Sequence, residues 1–399
     1  MTYSFSATVR GLLVCLLLLM SLLGVFPLDV ILPSFPALAS EFSVRTTDIA
    51  WSISVFALGV AASQSLIGPL SDRLGRKRLL LGGLTLSMVG AVGCIQAQDY
   101  HTFMTFRGVQ ALGCGCFVLS QALVQDIYTG RRRNAMRIFL TSASGVFISL
   151  SPLAGSALQQ SLGWAGSFQV FLGLSAIVWI LSAGLLTEEP KVGKVMSVLQ
   201  SYMTLLRDWD FIVFSTCAAL AFACHFSFIV VSPLLFMDRL VLSDYAFSFV
   251  FLGYGTAYIV GGVVASALNG WLRPKTQIIL GLRLIGCAGA LLLTWSVVDG
   301  LSVAGILLPM AICTIGTTIV RPAATTCALD LYPQFAGAAA ALNNTLLFAI
   351  GGVASALVAM TDAGLPFSLA VGFIATAVGG SWLVKRSVQK EAVEHILRS

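Results

Sequence analysis

The chain has 399 residues, of which 57% are apolar and only 10% charged, with a formal net charge of +6. Soluble domains average about 45–50% apolar and about 25% charged, so a water-soluble globule of this size would lack the charges to cover its surface. The same apolar content excludes a disordered chain. The apolar runs reach about 20 residues without the alternation of barrel strands, which leaves an all-α membrane protein of many spans.

In chain order, spans are expected near 11–33, 49–71, 79–97, 102–125, 137–160, 165–187, 210–234, 246–270, 276–298, 301–325, 336–360 and 365–384. The first run follows Arg10 and loosely imitates a secretory leader ending at Ala37-Leu38-Ala39. It is span-length and further spans follow, so it reads as an uncleaved first span. Placing the N-terminus in the cytoplasm puts most of the 23 Lys and Arg on that side. They cluster at Arg73–Arg78, Arg131–Arg137, Lys191–Arg207, Arg273–Lys275 and Lys385–Arg398, against Arg45 and Arg239 outside. The positive-inside rule then sets both termini in the cytoplasm. The net charge reflects topology, so no nucleic-acid partner is expected. All nine cysteines fall in apolar stretches and read as small hydrophobes rather than metal ligands.

A loop at 188–209 divides the chain into 1–187, a six-helix bundle, and 210–399, a second bundle with a short tail. Such internal duplication is common in transporters. The charged loop after the second span carries Asp72, Arg76 and Arg78, and the matching loop of the second half carries Asn269, Arg273 and Lys275.

The string Gly68-Pro69-Leu70-Ser71-Asp72-Arg73-Leu74-Gly75-Arg76-Lys77-Arg78 is a tight turn between spans two and three, with Gly75 available for close approach or positive φ. It resembles the loop 2–3 signature of the major facilitator superfamily. That resemblance implies a cytoplasmic gate built on Asp72, Arg73, Gly75 and Arg76. Arg107 lies within span four, where a cation needs a partner or a wet cavity. Gln110 lies one turn on, near the same face. Arg107-Gly108-Val109-Gln110-Ala111 resembles the family's Arg-x-x-Gln-Gly motif linked to proton coupling, with Ala111 in place of the first Gly.

Asp29, near the outer end of span one, sits at a depth similar to Arg107 and is its expected partner. Asp29-Val30-Ile31-Leu32-Pro33 resembles the span-one signature of drug:proton antiporters, especially the bicyclomycin and chloramphenicol exporter branch. Some relatives carry a further acid where this chain has Ser21. In span five, Ser151-Pro152-Leu153-Ala154-Gly155-Ser156 resembles the antiporter pattern Gly-Pro-x-x-Gly-Gly, with serine at two of its glycines. Pro152 can kink the helix and the small residues allow close contact.

Polar or aromatic residues within spans mark a substrate path: Gln64, Gln110, His225, Tyr254, Tyr258, Asn343 and Asn344. Arg321 is expected to balance Asp330. The resemblance implies two pseudo-symmetric six-helix bundles of the major facilitator fold. The implied activity is proton-driven efflux of small amphipathic molecules, drugs among them, across a bacterial inner membrane. A monomer, a small-molecule substrate, protons and the bilayer complete the expected partners. No enzyme activity, cofactor or metal is expected, and no phosphate-cradling loop is present to use ATP. Alternatives are a dedicated exporter of one metabolite (a sugar, an amino acid derivative or a siderophore), a proton-coupled importer, and a non-transporting membrane sensor.

Overall fold

A helix rises 1.5 Å per residue, so about 20 apolar residues cross a hydrocarbon core of about 30 Å. The computed structural model describes residues 7–128, 130–187, 198–298, 301–332, 336–361 and 364–398. Among them, 11 helices are long and apolar enough to cross a membrane, and no strand occurs. The expected fifth span lies in a further helix, Gly130–Leu162, whose 33 residues give ample length. It carries Gly130-Arg-Arg-Arg-Asn at its start, so it is less apolar than its neighbours.

The chain divides into two compact units, Met1–Val195 and Met196–Ser399. In the first, α1 (Ala7–Leu23), α2 (Phe26–Asp29), a 3₁₀ turn (Leu32–Ser34) and α3 (Phe35–Glu41) together make the first span. Then come α4 (Thr46–Leu74), α5 (Arg76–Gln96), α6 (Tyr100–Cys114) continuing into α7 (Leu119–Ile127), α8 (Gly130–Leu162) and α9 (Gly166–Leu185). The second unit holds α10 (Val198–Arg207), α11 (Trp209–Pro233), α12 (Asp244–Asn269), α13 (Pro274–Val298), α14 (Val303–Asp330), α15 (Ala336–Ala359) and α16 (Leu365–Arg398).

Side chains that satisfy free backbone N–H groups set several helix starts. Asp99 accepts from Thr102 N–H at 2.9 Å and opens α6. Asp208 accepts from Phe211 N–H at 2.9 Å and opens α11. Ser243 and Ser302 do the same for α12 and α14. At α4, Asp48 accepts from the Arg45 backbone and from its guanidinium, at 3.1 and 3.0 Å.

The burial pattern is that of a protein whose outer solvent is lipid. Large apolar side chains such as Leu66, Ile180, Val263 and Val378 are exposed, while Asp29, Arg107, Gln110 and His225 are buried. The cysteines follow neither rule uniformly: Cys15 and Cys287 are exposed, and those in the helix contacts are buried. α11 is buried on all sides, which makes it the central helix of the second unit. Beyond Pro233 it ends in a π-helical turn, Leu234–Arg239.

The expected 188–209 loop is corrected in part. Residues 188–197 lie outside the described residues, but α10 occupies 198–207. Leu205 is buried while the polar Gln200, Thr204 and Arg207 are exposed, as on the two faces of an amphipathic helix. Where this helix meets α11, the Tyr332 hydroxyl donates to Asp208 at 2.7 Å and the Ser387 hydroxyl to Asp210 at 2.6 Å. The Asp208 carboxylate pushes the Tyr332 phenol up to about 12, so this contact keeps its proton throughout the neutral range.

Candidate functional site

Span one contains three prolines, Pro27, Pro33 and Pro36, each lacking a backbone donor. The helix accordingly breaks, with Pro27 in the first turn of α2 and Pro33 in the 3₁₀ turn. Asp29 closes α2 and is buried, with 4% of its surface exposed. Its backbone N–H reaches the Val25 carbonyl at 3.4 Å, and its carboxylate makes no ion pair or side-chain hydrogen bond with any described residue.

Arg107 on α6 is fully buried. Its Nη1 donates to Gln110 Oε1 at 2.7 Å and its Nη2 to the Pro27 carbonyl at 3.1 Å. The guanidinium carbon lies 4.5 Å from the centre of the Phe56 ring and 5.6 Å from that of Phe168. Nε alone is without a partner. The expected Asp29–Arg107 ion pair is therefore not formed. Two of the donors are taken by Gln110 and Pro27, and two aromatic rings pack around the group. The side chain still grips the α2 turn two residues before Asp29. Arg107 and Gln110 line a narrow cleft with Phe26, Pro27, Ile31 and Phe171.

Gly155 on α8 faces the same broken segment. A Cβ there would lie 2.2 Å from the Val30 carbonyl oxygen and 3.1 Å from Pro33 Cδ. Only glycine lets α8 approach the backbone next to Asp29. Pro152 is one turn earlier in α8. Two motif regions that are far apart in sequence thus meet at one place.

At the α4–α5 turn, Gly75 adopts φ +90°, a conformation that other residues reach only with strain. Arg76 Nε pairs with Asp126 Oδ2 of α7 at 2.7 Å. Lys77 Nζ donates to the Ala183 carbonyl of α9 at 2.7 Å. The side chains of Asp72 and Arg73 lie outside the described residues. Gln64 is buried in α4 with its Oε1 unpartnered.

In the second unit, the Tyr254 hydroxyl and His225 Nδ1 are hydrogen-bonded and the two rings stack. Tyr258, one turn further along α12, lies 5.7 Å from the His225 ring. On the same face of α11, Phe222 stacks on Phe226 at 5.3 Å and meets Phe348 of α15 edge-on at 5.4 Å. The Arg321 guanidinium sits over Phe222 at 5.3 Å. The expected Arg321–Asp330 balance is not formed among the described residues. Nine residues along a helix is two and a half turns, which places the two on opposite faces. Asn343 is buried with its Oδ1 unpartnered, and Asn344 is half-buried beside it.

The sequence matches the family model described as Major Facilitator Superfamily over residues 16–356. The chain belongs to the Major Facilitator Superfamily. Its relatives include a chloramphenicol resistance protein of Pseudomonas aeruginosa, 31% identical over 358 residues, covering 88% of this chain and 82% of that protein. A bicyclomycin resistance protein homolog of Haemophilus influenzae is 24% identical over 93% of this chain and 96% of its own. The MFS-type transporter YdgK of Bacillus subtilis, itself uncharacterized, is 25% identical over 91% and 92%.

One departure of this chain from the major facilitator pattern has a visible physical counterpart. Ala111 stands where the Arg-x-x-Gln-Gly motif has glycine, and it packs against Gly59 of α4. A Cβ on Gly59 would lie 2.7 Å from Ala111 Cβ. Glycine at 59 leaves the room that the Ala111 methyl group occupies.

Sequence reasoning missed the Pro27 carbonyl, Phe168, Asp126 and Phe222. Asp126 had a signal, a lone acid at the end of span four beside basic loops. The Pro27 carbonyl had one too, because a proline-broken helix frees carbonyls. Phe168 and Phe222 had none, since aromatic residues are common in every span.

Proposed function

We propose that this protein exports small amphipathic molecules, drugs of the chloramphenicol type among them, in exchange for protons. It works by alternating access in a bacterial inner membrane, as a monomer with both termini in the cytoplasm. Asp29 carries the proton. Arg107 positions the Asp29 turn through the Pro27 carbonyl. Asp72, Arg73, Gly75 and Arg76 form the cytoplasmic gate, with Asp126 holding Arg76. Pro152 and Gly155 shape the α8 face that supports Asp29. Gln64, Gln110, His225, Tyr258 and Asn343 line the substrate path.

The observation that carries this reading is the buried Asp29 carboxylate, in a break of span one, with no ion pair or side-chain hydrogen bond to any described residue. An ionised carboxylate without a partner is costly in such a place. Binding a proton removes the charge, and opening the site to water restores it. A cycle that alternates these environments therefore takes up and releases one proton per turn. The resistance proteins named above support a drug as the molecule exchanged.

The test uses everted membrane vesicles with an acidified interior and a pH-sensitive dye. Chloramphenicol should collapse the gradient in vesicles containing the protein and leave it intact in vesicles without it. A gradient unaffected by chloramphenicol and by a panel of amphipathic drugs, with inserted and folded protein, contradicts drug efflux.

A further inference from the structure

Arg321 lies deep in α14, nine residues before its end at Asp330 and so about 14 Å from it along the axis. It is half-buried. It makes no hydrogen bond or ion pair with any described residue; its guanidinium lies over the face of Phe222 and is close enough to His225 to act on it electrostatically. The described acids of this unit are at its ends. Asp208 and Asp210 are bound to Tyr332 and Ser387. Asp330 ends α14, while Asp238 and Asp244 flank the opposite end of α11 and α12. A cation held inside a span without a protein counter-charge marks a wet cavity or a ligand path. Arg107 shows what the other outcome looks like: there both terminal nitrogens donate, to Gln110 and Pro27, and none of the surface remains open.

The surroundings of Arg321 also specify shape. Phe222 and Phe226 are buried with their rings 20° apart, and the half-buried Phe348 meets Phe222 edge-on. His225 shares the Phe222 face of α11, and its Nδ1 is committed to Tyr254. Tyr258 stands beside the histidine ring. A flat aromatic group fits against the open part of Phe348 in offset or edge-on contact, and a guanidinium offers a planar fork to a carboxylate or nitro group at its edge.

We infer that the second unit holds a docking subsite for an aromatic molecule bearing an anionic or strongly hydrogen-bond-accepting group, with Arg321 as its cation and the half-buried Phe348, backed by the buried Phe222 and Phe226, as its platform. The inference rests on the export reading and narrows its substrate class: the subsite selects against aromatic cations.

The experiment is equilibrium binding of two matched probes to the purified full-length protein, 4-nitrobenzoate and 4-nitrobenzyltrimethylammonium. The wild type should bind the anion at least about 10-fold more tightly than the cation, and Arg321→Gln should bring the ratio within about 2-fold of unity. Arg321→Lys should keep an anion preference. Phe348→Leu should weaken both probes by a similar factor and leave the ratio unchanged, a result that does not depend on the Arg321 variants folding. Equal binding by the wild type, preference for the cation, binding of neither probe, or an unchanged ratio in Arg321→Gln overturns the inference. Binding needs no proton gradient, so the two readings fail separately. Anion preference without gradient collapse contradicts export alone, and gradient collapse without anion preference contradicts the subsite alone.

Discussion

Arg107 and Arg321 are the same residue type inside spans, and they are handled in opposite ways. Arg107 is sealed: Gln110 and the Pro27 carbonyl accept its protons and Phe56 and Phe168 pack around it. Arg321 is left half-open above Phe222, with no acceptor among the described residues. An arginine at the centre of a span costs at least about 2.5–3.5 kcal/mol. The first unit offsets that cost with its own groups and gains a clamp on the Asp29 turn. The second leaves the offset to water or ligand and so keeps a cation available. The identity of a charged residue within a span does not reveal its job; the number of its donors already used does.

The largest expected effect breaks the sealed site. Arg107→Met leaves the Pro27 carbonyl and Gln110 unpartnered in a dry place, at about 1–3 kcal/mol for each group. Thermal unfolding in detergent should show a clear loss of stability, together with loss of transport. Arg321→Gln should shift the same unfolding curve by less than about 1 kcal/mol, since no described residue accepts a hydrogen bond from it. Equal destabilisation by the two changes would remove the contrast between sealed and open cations.

Gly155→Ala comes next. A methyl group 2.2 Å from the Val30 carbonyl must displace either α8 or the broken segment, at about 1–3 kcal/mol. Transport should fall with it, because the displaced backbone adjoins Asp29. Unchanged transport would show that the α8 contact does not position the carboxylate.

A smaller and sharper test concerns α4 and α6. Gly59→Ala should destabilise by about 1–2 kcal/mol through its clash with Ala111, and adding Ala111→Gly should restore part of the loss. Strict additivity in the double-mutant cycle would deny that the two positions compensate. The smallest effect belongs to the second unit. Tyr332→Phe removes the hydrogen bond to Asp208, worth about 1 kcal/mol in a partly exposed place. With the phenol pushed up to about 12, above its unfolded value, the contribution of this contact is present at neutral pH and is lost as pH rises through that value. A wild-type advantage over Tyr332→Phe that grows with rising alkalinity would contradict that sign.

The spans were legible because bilayer thickness demands long apolar runs, and the expected 276–298 and 336–360 lie within a residue or two of Pro274–Val298 and Ala336–Ala359. The break in span one was less legible. The run from Gly11 to Val25 is apolar apart from Ser21, and only the prolines beyond it signal that the helix stops. The amphipathic α10 was hidden inside a stretch read as loop, although Val198, Tyr202, Leu205 and Leu206 fall at helical spacing. Rise per residue set Arg107 and Asp29 at a similar height, and Arg107 reaches the Pro27 carbonyl two residues from Asp29. Height does not give direction around the helix, so the choice between the Asp29 carboxylate and the Pro27 carbonyl required the fold. Arg321 shows the same limit, since its pairing with Asp330 was argued from nearness in sequence and the helix turns them apart.

The central claim is that Asp29 is the proton carrier, and one substitution addresses it directly. Asparagine keeps the shape of the side chain and cannot bind a proton in this cycle. In everted vesicles with an acid interior, a drug that collapses the gradient in the wild type should leave it intact in Asp29→Asn, while equilibrium binding of that drug persists. A gradient that collapses equally in Asp29→Asn contradicts the account.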